Sequence, residues 1–117
     1  MSDFKTRMQL LVRQAGQVNP AHRHLVFAFS HADGRYFLFP IDDFGTPRFE
    51  SAIREAGRTG FKPLALIALC ATDDGRPLVE DEPMPDAPPD KVKAARQIFM
   101  DELIQKGILK PGNSTSN

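Results

Sequence analysis

The stretch from His24 to Asp43, HLVFAFSHADGRYFLFPIDD, decides the reading of this chain. Two apolar, aromatic runs flank Asp33-Gly34. An Asp-Gly pair between apolar runs signals a β-hairpin, because a two-residue type I′ turn needs positive φ at both central positions. That turn sets Phe29 opposite Leu38, Val26 opposite Ile41 and His24 opposite Asp43. Side chains alternate along a strand. One face then carries Val26, Ala28, Ser30, Phe37, Phe39 and Ile41, and the other Leu25, Phe27, Phe29, Tyr36, Leu38 and Pro40. Both faces are apolar, whereas a surface hairpin shows one polar face. Such a hairpin is covered on both sides by its own helices or a second copy, or it leaves one face as a binding surface.

Outward from the hairpin, the pattern alternates helices and strand pairs. Upstream, Phe4, Met8, Leu11, Val12 and Ala15 fall at helical spacing, with Ser2 as N-cap and Gly16 as terminator. Leu10 lies off that stripe. Downstream, Thr46-Pro47 predicts a helix start, Phe49, Ala52, Ile53 and Ala56 its apolar stripe, and Gly57 its end. Residues 62–72 are apolar without alternation, as in a central strand buried on both faces. Asp74-Gly75 repeats the turn signal and opens a short, charged edge strand. After the proline-rich residues 83–90, Asp90 caps a helix to about Lys106. Its stripe is Val92, Ala95, Phe99 and Leu103; Gly107 ends it. The fold class is therefore α+β: a small, mostly antiparallel sheet of two hairpins with three packing helices, in the order αββαββα. The repeated Asp-Gly-Arg needs no duplication, since two hairpins of one type explain it. Residues 1–111 form one domain, and residues 112–117 read as a disordered tail.

At 117 residues, with 41% hydrophobic and 26% charged side chains, the chain suits one globular domain. Basic and acidic residues both number 15, so no global charge draws it to nucleic acid or an anionic membrane. The charge is divided, however: residues 1–62 carry an excess of three basic groups and residues 63–117 an excess of three acidic ones. The single cysteine, Cys70, lies in an apolar run and reads as core; it allows neither an intrachain disulfide nor a cysteine-based zinc site. The amino terminus lacks the features of a secretory signal, and no apolar run reaches membrane-spanning length, so a cytoplasmic location with no membrane partner is expected. On that expectation the Asn113-Ser114-Thr115 sequon is chance.

Three constellations could carry chemistry. His22, His24 and Asp43 could form a metal site or a proton-transfer pair, yet a cross-strand polar pair explains them as well. No metal, cofactor or catalytic residue is therefore assigned, and no hydrolase, zinc-protease or nucleotide-binding motif is present. Gly57-Arg58-Thr59-Gly60 follows a helix, whereas phosphate loops precede one. Arg7, Arg13, Arg23 and Arg35 beside the hairpin aromatics could stack single-stranded nucleic acid, but the basic excess is small. What is left is a non-enzymatic, protein-binding accessory or regulatory domain, with homodimerisation as one form of that binding. Its candidate partner-facing residues are Phe27, Phe29, Tyr36 and Leu38 on the hairpin. Glu80, Asp81 and Glu82 on the acidic edge would suit a basic partner.

Overall fold

The computed structural model describes residues 3–16, 24–41, 49–71, 74 and 76–109. In chain order they form α1 (Asp3–Ala15), β1 (Leu25–His31), β2 (Tyr36–Pro40), α2 (Phe49–Arg58), β3 (Phe61–Ala71), β4 (Pro77–Pro83) and α3 (Pro89–Gln105). The α+β order expected from the sequence is the one observed. The four strands make one antiparallel sheet in the order β2-β1-β3-β4. Apolar β1 and β3 take the centre, and the acidic β4 takes an edge.

The sheet is covered on both faces. On one, Met8, Leu11, Val12 and Ala15 of α1 and Ala56 of α2 pack with Leu25, Phe27, Phe29, Ile41, Leu66, Ala68 and Cys70. On the other, Val92, Ala95, Phe99 and Leu103 of α3 pack with Val26, Ala28, Leu64, Ala65, Ile67, Leu69 and Val79. This explains a β1 that is apolar on both faces: each face meets a helix layer. Leu10, off the α1 stripe, is exposed.

The first hairpin departs from the expected register by one residue. Phe29 pairs with Phe37 and Val26 with Pro40. The loop has three residues: the His31 N–H donates to Arg35 O at 2.9 Å, and the Gly34 N–H to His31 O at 3.0 Å. Gly34 alone carries positive φ, at 96°, and Asp33 does not. That excludes type I′ and fits a turn closed by one left-handed glycine. Asp33 serves the loop differently, its carboxylate accepting the Arg35 N–H at 3.0 Å. A one-residue slip exchanges the faces of one strand relative to the other. Phe37 and Phe39 therefore lie with Phe27 and Phe29 on the α1/α2 side. Tyr36 and Leu38 lie with Ser30 and Ala28 on the α3 side.

Further differences concern element ends. α2 continues through Gly57, and Gly60, at φ 88°, is the left-handed residue after it. The N-cap of α3 is Pro88, with Pro89 entering the helix and Asp90 in its first turn; two prolines set the chain direction that a capping aspartate was expected to set. The end of α3 follows expectation. Gly107 has φ 79°, its N–H donates to Ile104 O, and the Ile108 N–H donates to Leu103 O, the paired bonds of a Schellman motif. β3 and β4 pair as far as Ala71 and Pro77, and β4 runs on through Glu80, Asp81 and Glu82. The expected Asp74-Gly75 turn lies partly outside the described residues. So do Ser2, Thr46, Pro47, the tail and the side chains of Phe4, Phe49, Ala52 and Ile53.

Candidate functional site: an aromatic sheet edge

The register shift changes which aromatics face solvent. Phe27 and Phe29 are fully buried, so neither is available to a partner. The hairpin surface expected there belongs instead to Phe37 (42% exposed) and Phe39 (37% exposed) on the edge strand β2. Tyr36 and Leu38 are half-buried on the other face, against the α3 layer.

Phe37 anchors a row of rings. Its centroid is 6.0 Å from Phe29, 6.2 Å from Phe39 and 6.0 Å from Phe61. Phe61 in turn meets the His31 ring edge-on at 5.1 Å and lies under the Arg35 guanidinium at 5.3 Å. Edge-to-face ring pairs and a cation over a ring face are favourable geometries. Across from the row, Glu55 and Ala56 of α2 and Thr59 in the turn after it form a second wall, closing a groove of about 450 Å³ that Arg35 also lines. The sequence offered one signal for this site. Phe37 and Phe39 alternate with Tyr36 and Leu38 on a strand whose edge could be open.

The backbone of β2 adds to the site. The bond from His31 N–H to Arg35 O and that from Ile41 N–H to Leu25 O (2.8 Å) frame the β1–β2 ladder. Bonded pairs alternate with non-bonded ones, so Phe37 and Phe39 bond to β1, and Tyr36, Leu38 and Pro40 direct their backbone groups outward. Pro40 thus falls where the ladder to β1 needs no donor. Among the described residues no strand pairs with this outer edge.

The other constellations disperse. Arg7 pairs with Glu82 beside β4, while Arg35 pairs with Asp33 at 2.7 Å beside β2. Two of the four arginines expected to act together thus stand at opposite sheet edges. Arg13 is exposed in the last turn of α1, and Arg23 lies outside the described residues. The acidic edge is partly neutralised. Besides Arg7–Glu82, Asp74 pairs with Arg76 at 3.0 Å, and Arg96 approaches Asp81 at 3.8 Å while donating to Val79 O. Burial raises the Asp81 carboxyl above its usual range, with Arg96 opposing the shift. Glu80 is exposed.

His22 and Asp43 lie outside the described residues. His24 sits at the opposite end of β1 from His31, roughly 20 Å away at strand rise. Among the described residues no three His, Cys, Asp or Glu side chains are placed to hold a metal ion. Cys70 is buried and its thiol is pushed up to about 11, by desolvation first and by Glu80 second. Among the described residues no helix is long and apolar enough to cross a membrane. No protein-family model, curated protein or solved structure matches this chain.

Proposed function

We propose that this chain is a non-enzymatic protein-binding domain, accessory or regulatory in role, that engages its partner along the β2 edge. The observation that carries the reading is the pair Phe37 and Phe39, over a third exposed beside a strand edge with which no strand pairs among the described residues. Aromatic side chains supply large contact area at low entropic cost. An open strand edge supplies main-chain hydrogen bonds to an incoming strand. The acidic β4 edge is a weaker basis for a basic partner, because Arg7, Arg76 and Arg96 already stand against Glu82, Asp74 and Asp81.

A photo-crosslinking residue at position 37, in the full chain expressed in cells, tests the reading. Position 102, exposed on α3, is the control. Adducts to protein of any mass from position 37, with none from position 102, support it. No adduct from 37, or equal labelling from both positions, overturns it.

A further inference from the structure

We infer that the occupant of the β2 edge is a second copy of this chain, paired antiparallel about a twofold axis through Leu38. The inference rests on the reading of β2 as a binding edge and adds the identity of the partner.

The outward backbone groups of β2 complement themselves. With Leu38 on the axis, the Leu38 N–H of each copy meets the Leu38 carbonyl of the other. The Tyr36 N–H meets the other copy's Pro40 carbonyl. Every outward N–H of the strand then has an acceptor, and the missing donor of Pro40 falls at the end of the ladder. The overlap covers the whole of Tyr36–Pro40. It sets Phe37 of one copy opposite Phe39 of the other, twice, at the closely spaced non-bonded positions where cross-strand aromatic pairs gain most. Both aromatic pairs lie on the α1/α2 face and extend the ring row across the axis. The product is a closed, isologous dimer with one eight-stranded sheet.

Charge distinguishes this edge from the other. β2, YFLFP, carries no ionisable group except the tyrosine hydroxyl, and the whole chain is formally neutral. Two copies can therefore approach at β2 without like-charge repulsion. β4 presents Glu80, Asp81 and Glu82 between Pro77 and Pro83, which discourages β4 from pairing with itself and from accepting β2 in an open filament. A contact built on one five-residue strand and its flanking rings falls below the roughly 1,600 Å² of a standard interface. The dimer is accordingly reversible, with dissociation in the range of about 10–100 μM.

Sedimentation equilibrium of the full chain from about 5 to 500 μM should show a monomer–dimer transition within that range. A wild type that stays monomeric throughout overturns the inference, while crosslinks from position 37 to other proteins would leave the binding edge itself standing. Two double variants test the register. F37K/F39K gathers four lysines at the axis and should weaken dimerisation at least tenfold. F37K/F39E sets each lysine opposite the other copy's glutamate and should restore it, in a salt-sensitive form. Both positions are exposed enough to accept charge, and a thermal melt within a few degrees of wild type confirms folding. A dimer unaffected by F37K/F39K, or not recovered in F37K/F39E, overturns the Leu38-centred pairing.

Discussion

Among the described residues three glycines carry positive φ, and their surroundings differ in a way that one substitution series can measure. A Cβ added at Gly34 or Gly107 meets nothing within 4 Å, while one at Gly60 would stand 2.9 Å from His31 Nε2. The His31 ring is not free to turn aside. It lies edge-on to Phe61, and its Nδ1 accepts the Asp33 N–H at 3.1 Å. Gly34→Ala and Gly107→Ala should each cost only the left-handed backbone strain, about 1–2 kcal/mol. Gly34→Val should cost at least about 1 kcal/mol by the same strain, since β-branching resists positive φ. Gly60→Ala should add an overpacking cost of about 1–3 kcal/mol. At roughly 4 °C per kcal/mol for a domain of this size, its Tm should fall by about 8–20 °C, against about 4–8 °C for Gly34→Ala. Urea denaturation of the three alanine variants supplies the free energies. The double variant H31A/G60A supplies the coupling, which should recover the overpacking share. If Gly60→Ala costs no more than Gly34→Ala, or if removing the His31 ring recovers nothing, the packing of α2's end against the hairpin is refuted.

Further outcomes follow from burial. Phe99, 1% exposed between α3 and the sheet, should cost about 3–5 kcal/mol as Phe99→Ala, and a cost under about 1 kcal/mol in urea melts would mean that α3 does not pack there. Cys70 should resist thiol reagents in the folded protein at pH 8 and react on unfolding, because burial keeps the thiol protonated; stoichiometric labelling of the native state would refute this. Asp81 is an acid with a raised folded pKa. Between its unfolded pKa near 3.8 and the higher folded value, the native state binds more protons than the unfolded one. Its contribution to stability therefore falls as pH rises through that window. Asp81→Asn should remove that fall from the pH dependence of Tm, and a carboxyl titration placing Asp81 below the ordinary range would contradict the sign.

Element order was legible because each helix shows an apolar stripe at 3.6-residue spacing and turn residues separate the strands. Met8, Leu11, Val12 and Ala15, and likewise Val92, Ala95, Phe99 and Leu103, were readable in this way, and all eight are buried. The hairpin register was not readable. Both faces of β1 are apolar, so a slip of one residue costs nothing in the hydrophobic pattern, and the pattern cannot choose between registers. Turn chemistry had to decide, and Asp-Gly serves a three-residue loop as well as a two-residue one. The candidate site inherited that ambiguity. The slip carries Phe37 and Phe39 onto the side of the sheet where α1 and α2 bury Phe27 and Phe29, and the edge leaves them exposed.

The irregularity in β3 completes the groove, and it too hides in an apolar run. Between Ala28 and Phe29 the pairing of β1 with β3 shifts by one residue, so that Ala28 meets Ala65 and Phe29 meets Pro63. Leu64 is the extra residue, and Leu64 and Ala65 both join the α3-side core. Strict alternation back from Ala65 would have put Leu64 on the α1/α2 side and Phe61 on the α3 side. The bulge reverses the alternation below it. Phe61 instead packs on the α1/α2 side, where Phe37, His31 and Arg35 gather around it. Pro63, which lacks a donor, falls beside the irregularity, where its loss matters least. The bulge therefore does two things at once: it buries Leu64 against α3, and it turns Phe61 to floor the groove beside the β2 edge.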